Sequence, residues 1–151
     1  MIKTTNKIIA TFFYSGFFPI APGTFGSFMA LLVWLLLPEI LILKAILLGL
    51  ALVPGFFATD GFARELNIHD PGMIVIDEVA GLWLALIIID LVLGPRLIWG
   101  VLGFLFFRLF DIIKPYPISL LEKAKGAWGI MLDDILAGIF AAIILILINI
   151  L

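Results

Sequence analysis

The chain has 151 residues and a formal net charge of −2; 64% of its residues are apolar and only 13% are charged. A soluble domain is about 45–50% apolar and about 25% charged, and one this small buries only about 68–70% of its unfolded surface. With a mean hydropathy of +1.30, that excess excludes an ordinary soluble enzyme, a disordered chain and a nucleic-acid binder, and leaves an integral membrane protein.

Residues 1–23 open with Lys3 and Lys7 and turn aromatic at Phe12, Phe13, Tyr14, Phe17 and Phe18. Ala21-Pro22-Gly23 reads as a turn and is a poor signal-peptide cleavage site, so this stretch reads as a short interfacial helix followed by a loop. Five apolar spans follow, over about 24–37, 40–58, 79–94, 97–110 and 135–151. A span of ~14 residues at ~1.5 Å per residue covers roughly 21 Å, short of a ~30 Å hydrocarbon core. Some helices must therefore extend into the adjoining segments, or the bilayer must thin. Lys44 is expected to snorkel from near its helix start, and Pro54 to kink the same helix. Continuous apolar runs without alternation exclude a barrel. The expected fold is all-α: one membrane-embedded domain over 1–151, a bundle of about five helices plus the N-terminal interfacial helix.

Following the path, segments 1–23, 59–78 and 111–134 share one side. That side holds Lys3, Lys7, Arg64, Arg108, Lys114, Lys123 and Lys125, against Arg96 and Lys44 on the other. The positive-inside rule places it in the cytoplasm. Asp60, Glu65, Asp70, Asp77, Glu78, Asp111, Glu122, Asp133 and Asp134 lie there too, leaving only Glu39 and Asp90 elsewhere. A polar site at the cytoplasmic interface accounts for this asymmetry; a solubilising rim does not need it.

Asp77-Glu78 opens the third span and Asp133-Asp134 the fifth. In Asp77-Glu-Val-Ala-Gly81 and Asp134-Ile-Leu-Ala-Gly138 an acid is followed one helical turn later by a glycine that permits close helix approach. Packed together, the two helices would converge four carboxylates, Asp77, Glu78, Asp133 and Asp134, a hard oxygen set suited to Mg²⁺. The alternative is helix capping, since acids favour helix N-termini. Arg108, Asp111 and Lys114 share a helix face ended by Pro115 and Pro117. Arg108 and Lys114 offer a fork and a point charge to phosphate, and Asp111 would bind metal or orient Arg108; a structural Arg108–Asp111 pair explains the same spacing. Pro19–Ser27 places Gly23, Gly26 and the hydroxyls of Thr24 and Ser27 where a helix N-terminus could meet an anion, though a turn and an N-cap would look alike. His69 and Asp70 sit in the loop before the third span, His69 as base, phosphate ligand or a merely solvated residue.

Asp60, Gly61, Ala63, Arg64 and Asp77 fit part of the CDP-alcohol phosphatidyltransferase frame. Met73 and Gly81 stand where that frame has Gly and its last Asp, the expected base. A transferase of that kind is the runner-up. A small transporter using the carboxylates as a cation path is a further alternative, for which the acids should lie at mid-membrane depth.

Taken together, Pro19–Ser27, His69-Asp-Pro-Gly with Ile76-Asp-Glu78 and Gly81, Arg108-x-x-Asp111-x-x-Lys114-Pro-x-Pro117, and Gly129-Ile-Met-Leu-Asp-Asp134 with Gly138 resemble the phosphatidylglycerophosphatase A family, in the family's order and over about residues 15–140. The resemblance implies Mg²⁺-dependent removal of the terminal phosphate of phosphatidylglycerophosphate, giving phosphatidylglycerol, in the bacterial inner membrane. Asp77, Glu78, Asp111, Asp133 and Asp134 are then the expected catalytic residues, with Thr24, Ser27, His69, Asp70, Arg108 and Lys114 on the substrate. Other phosphatase routes lack parts: there is no cysteine and only one histidine.

Overall fold

The computed structural model describes residues 3–121 and 123–151; Glu122, one of the acids assigned to the cytoplasmic side, lies outside the described residues. The described residues form helices and no strand. In chain order these are α1 (Thr4–Ala10), a 3-10 turn (Ser15–Phe17), α2 (Pro22–Leu36), α3 (Leu41–Leu66), α4 (Ile76–Leu93), α5 (Leu97–Ile113), the short α6 (Ile118–Leu121) and α7 (Ala127–Ile150). Each of the five apolar spans falls on one long helix, and α1 stands where the interfacial helix was expected.

Two segments expected to be loops are largely helical. α3 continues past residue 58 through Ala63-Arg-Glu-Leu66, good helix formers, and stops where Asn67 takes a left-handed conformation at φ 53°. α7 begins at Ala127, after Gly126 at φ 63°. Asp133 and Asp134 therefore lie in the second turn of α7 and do not open it. Apolar periodicity marks where a helix is covered by lipid, not where its backbone bonding ends.

α3 and α7 have 26 and 24 residues, about 39 and 36 Å of helix, and are long and apolar enough to cross a membrane. α2 is shorter, and α4 and α5 carry charges at their ends. Large apolar side chains such as Ile42, Phe57, Leu97 and Ile112 lie on the surface, each at least 66% exposed. Such a surface is that of a membrane protein, because water would penalise it.

α4 is the central helix, packed against α2, α3, α5 and α7. Val79, Leu82, Leu86 and Ile89 are fully buried around it, as expected of a helix that is apolar on every side. Trp83 Nε1 donates to the Ala30 carbonyl of α2 at 3.0 Å. The closest packing is between α4 and α7. A Cβ on Gly81 would stand 2.4 Å from the Asp134 carbonyl oxygen, and one on Gly138 would stand 2.1 Å from the Gly81 carbonyl oxygen. Only glycine at both positions lets the two backbones meet.

The other end of α4 is closed by a charge cluster. Lys44 does not snorkel: it is 2% exposed, with Nζ 2.6 Å from Glu39 and 2.9 Å from Asp90 and 4.8 Å from the Trp34 ring centroid. Trp34 Nε1 also donates to Asp90 at 3.0 Å. The side chain points inward because Asp90 of α4 would otherwise be a buried, unpaired carboxylate. Asp90 is thus held by partners, which removes it as a step in a cation path.

Gly81→Ala should lower stability by about 1–3 kcal/mol, the usual cost of overpacking, because the obstructing atom is backbone. Gly49→Ala, on the same kind of helix but with open space around its Cβ, should be neutral or stabilising. Thermal unfolding of the two purified variants in one detergent checks the contrast.

Candidate active site

The packing of α4 on α7 carries Asp77 and Glu78 to the same level as Asp133 and Asp134. The end of α5 then closes the space with Asp111 and Lys114. Together with His69 and Asp70 of the α3–α4 loop, these six side chains line one cavity of about 300 Å³. Eight of the eleven residues singled out from the sequence are therefore brought together. The remaining three, Thr24, Ser27 and Arg108, stand beside it.

Arg108 is the hub of that neighbouring group. It forms ion pairs with Asp111, three residues on along α5, and with Glu78 of α4 at 3.3 Å. It also donates to Thr24 Oγ1 at 3.2 Å and Ser27 Oγ at 3.4 Å, both on α2. The hydroxyls thus brace the guanidinium and do not line the cavity. Neither caps α2: Ala21 is the N-cap, without a side-chain bond, and Pro22 opens the helix. Ser27 Oγ instead donates to the Gly23 carbonyl at 2.8 Å, the back-bonding habit of a serine inside a helix. The anion nearest the first turn of α2 is the chain's own Glu78, whose Oε1 would lie 1.8 Å from a Cβ on Gly23. The sequence suggested Gly23 as a turn residue or as part of an anion-binding helix N-terminus; its need to be glycine comes from this tertiary approach.

Lys114 takes the left-handed conformation at the end of α5, φ 46°, before Pro115. That turn swings its Nζ to 2.7 Å from Asp133 Oδ2. Asp111 reaches the Asp134 side chain as well as Arg108. So the face Arg108–Asp111–Lys114 meets α2, α4 and α7 at once, and the Arg108–Asp111 pair is one part of a larger network.

The carboxylates are not fully satisfied. Among the described residues, Asp77 Oδ1, Glu78 Oε2, Asp133 Oδ1 and Asp134 Oδ1 are buried without a hydrogen-bond partner, and so is the donor Arg108 Nε. Buried acids this close repel strongly in a low dielectric, and Arg108 and Lys114 offset only part of that repulsion. Capping does not explain the second pair, since the first turn of α7 holds no acid. Among the described residues no three Asp, Glu, His or Cys side chains are already set as a metal cage. The donor set is nonetheless of the kind Mg²⁺ accepts, because that ion takes one or two carboxylates and completes its shell with water and substrate phosphate. The unpartnered carboxylate oxygens are where a cation would gain most.

His69 and Asp70 are exposed at the cavity rim. Asp60 is elsewhere: it pairs with Arg64 at 3.0 Å and lines a different cavity. The transferase frame needs Asp60 and Asp77 to share a site, and they do not.

A family model described as phosphatidylglycerophosphatase A matches residues 8–149. The Escherichia coli phosphatidylglycerophosphatase A is 37% identical over 150 residues, 95% of this chain and 84% of the relative. That of Haemophilus influenzae is 37% identical over 142 residues, 91% and 84% of the two chains. A Bacteroides thetaiotaomicron protein provisionally named a phosphatidylinositol-3-phosphatase is 37% identical over 144 residues, 91% and 89%. No solved structure matches the chain. The matched family spans the acidic cavity, the Arg108 network and nearly all of the helices that build them, and this chain belongs to the phosphatidylglycerophosphatase A family.

Proposed function

We propose that this chain hydrolyses the terminal phosphomonoester of phosphatidylglycerophosphate to phosphatidylglycerol and inorganic phosphate, with Mg²⁺, at the cytoplasmic face of a bacterial inner membrane. The observation that carries the reading is the set of unpartnered buried carboxylate oxygens around one cavity, flanked by Arg108 and Lys114. The names of the Escherichia coli and Haemophilus influenzae relatives support the substrate. The Bacteroides relative is named for another lipid phosphomonoester, which is the specific reason to test that headgroup as well.

Asp77, Glu78, Asp133 and Asp134 are the residues that would hold Mg²⁺. When bound, the ion would supply Lewis-acid polarisation of the phosphoryl group and a lowered pKa for water. The chain's own part is electrostatic and positional. Phosphoryl transfer needs charge neutralisation and an in-line nucleophile more than covalent help. Arg108, fixed by Glu78, Asp111, Thr24 and Ser27, presents its fork in one orientation, and its free Nε can donate to a phosphate oxygen. Lys114 adds a point charge beside Asp133. Asp111, at the meeting of Arg108 and Asp134, would orient the guanidinium or take a proton. His69 and Asp70 at the rim would meet the glycerol side of the headgroup. A site at the interface reaches the phosphate without extracting the acyl chains from the bilayer.

Phosphate release from purified protein should require Mg²⁺ and stop on chelation. Asp77→Asn and Asp134→Asn should each lower kcat by about a hundredfold or more, with little change in KM, since the charge acts mainly in the transition state. Near-normal rates in both variants would reduce the acids to a structural role. The substrates to compare are phosphatidylglycerophosphate, phosphatidylinositol 3-phosphate, and a CDP-lipid with an alcohol, the last scored by CMP.

Arg108→Lys keeps the charge and loses the fork. It should cost about tenfold or more in kcat/KM, the equivalent of one charge-assisted hydrogen bond of about 1.5–3 kcal/mol. Full activity would place phosphate recognition elsewhere.

Five spans with both polar segments in the cytoplasm follow from the seven-to-two division of basic residues. Single cysteines at Ile68 and Lys123 should resist an impermeant thiol reagent in intact cells and react in inverted vesicles. Opposite labelling of the two positions would refute the arrangement.

A further inference from the structure

On the far side of His69 from the acidic cavity lies a larger one of about 690 Å³, which His69 also lines. The last turns of α3 contribute Asp60 and Arg64 to it, and the start of α7 contributes Lys125 and Trp128. Phe56 and Trp128, with ring centroids 4.7 Å apart, separate it from a third cavity of about 350 Å³ that they also line. That third cavity is walled by apolar side chains alone, Leu52 and Phe57 from α3 and Met131 and Ile135 from α7 among them. The three cavities are thus neighbours that share walls, His69 between the acidic and the middle one and the Phe56–Trp128 pair between the middle and the apolar one.

The series has a direction. α3 and α7 run past each other with the C-terminal end of α3 beside the N-terminal end of α7. Leu52 lies eleven residues before Ala63 of the middle cavity, about 16 Å along a helix. Ile135 lies eight residues beyond Ala127, about 12 Å. The apolar cavity therefore extends away from the middle cavity by about 12–16 Å along α3 and α7, the two helices long and apolar enough to cross a membrane.

The chemistry of the series matches one molecule. A phosphatidylglycerophosphate carries two phosphates, a terminal monoester and a diester next to the diacylglycerol, joined by one glycerol unit. Its recognition calls for cations in two adjacent places and an apolar groove beyond the second. Arg108 and Lys114 serve the first place. At the second, Lys125 is exposed and makes no ion pair among the described residues, and Arg64 is 79% exposed while paired with Asp60. We propose that the middle cavity binds the phosphodiester of the substrate through Lys125 and Arg64, and that the apolar cavity between α3 and α7 takes the upper part of an acyl chain. His69 then stands beside the linking glycerol. The inference rests on the function proposed above and adds to it the basis of selectivity. With one polar cavity for each phosphate, a lipid whose phosphate sits directly on the diacylglycerol fills only one of them.

The test uses the full chain in mixed micelles of detergent and phosphatidylglycerophosphate. Lys125→Ala should raise KM about tenfold, with kcat changed by no more than about twofold, and Lys125→Glu should raise KM further; Lys125→Arg should restore it. Lys125 is exposed, so its substitution leaves the fold intact, and equal thermal unfolding temperatures check that. In parallel, a phosphatidylglycerophosphate carrying a diazirine near the top of one acyl chain should label peptides spanning 52–57 and 128–135. Unlabelled substrate should suppress that labelling. Unchanged KM in both Lys125→Ala and Lys125→Glu overturns the phosphodiester site, and labelling spread evenly over all lipid-facing helices overturns the acyl groove. If the wild-type chain releases no phosphate from this lipid, the proposed function fails, whereas the labelling pattern still reports whether the groove is occupied.

Discussion

The backbone contact between α4 and α7 at Gly81 and Gly138 sets the geometry of the whole polar end. At any larger side chain the helices would move apart, because the atoms in the way are carbonyl oxygens that cannot rotate aside. In lipid there is no hydrophobic driving force to hold helices together, so close van der Waals contact of this kind matters more than it would in water. The same contact brings four carboxylates to one level. A tightly packed helix pair and a strained cluster of like charges are therefore one feature seen from two sides.

That cluster explains why α5 ends as it does. Four acids in a low-dielectric setting need positive charge nearby. Arg108 supplies it to Glu78 and Asp111, and Lys114, turned by its left-handed conformation ahead of Pro115, supplies it to Asp133. The neutralisation stops short, leaving several carboxylate oxygens and Arg108 Nε without partners. An incompletely satisfied buried network is costly for folding, and the function proposed above supplies the missing partners as a cation and a phosphate.

The two ends of α4 make an instructive contrast. Asp77 at one end and Asp90 at the other are both acids on a buried, apolar helix. Asp90 receives Lys44 and Trp34, while Asp77 Oδ1 receives no hydrogen bond among the described residues. The first cluster has its charges paired and holds α2, α3 and α4 together. The second leaves carboxylate oxygens without partners among the described residues. Residue type alone does not separate a saturated charge cluster from an unsaturated one; the count of satisfied partners does.

Much of this was legible in the chain itself. Composition called for a membrane protein, continuous apolar runs called for helices, and the repeated acid-to-glycine spacing at Asp77/Gly81 and Asp134/Gly138 pointed to two helices that pack closely and converge their acids. These features are local or periodic, so a linear sequence carries them. Helix ends were less legible: α3 and α7 run on through polar residues, because intrahelical hydrogen bonding does not stop where lipid contact stops. Beyond the Arg108–Asp111 pair and the convergence of the four acids, individual side-chain partners were not legible. Lys44 looks like a snorkelling lysine until Asp90 is seen beside it, Thr24 and Ser27 look like an anion-binding turn until Arg108 is seen between them, and Gly23 looks like a turn residue until Glu78 is seen against it. In each case the deciding contact joins residues far apart in the chain, and only the packing of the helices determines which of many possible partners a side chain meets.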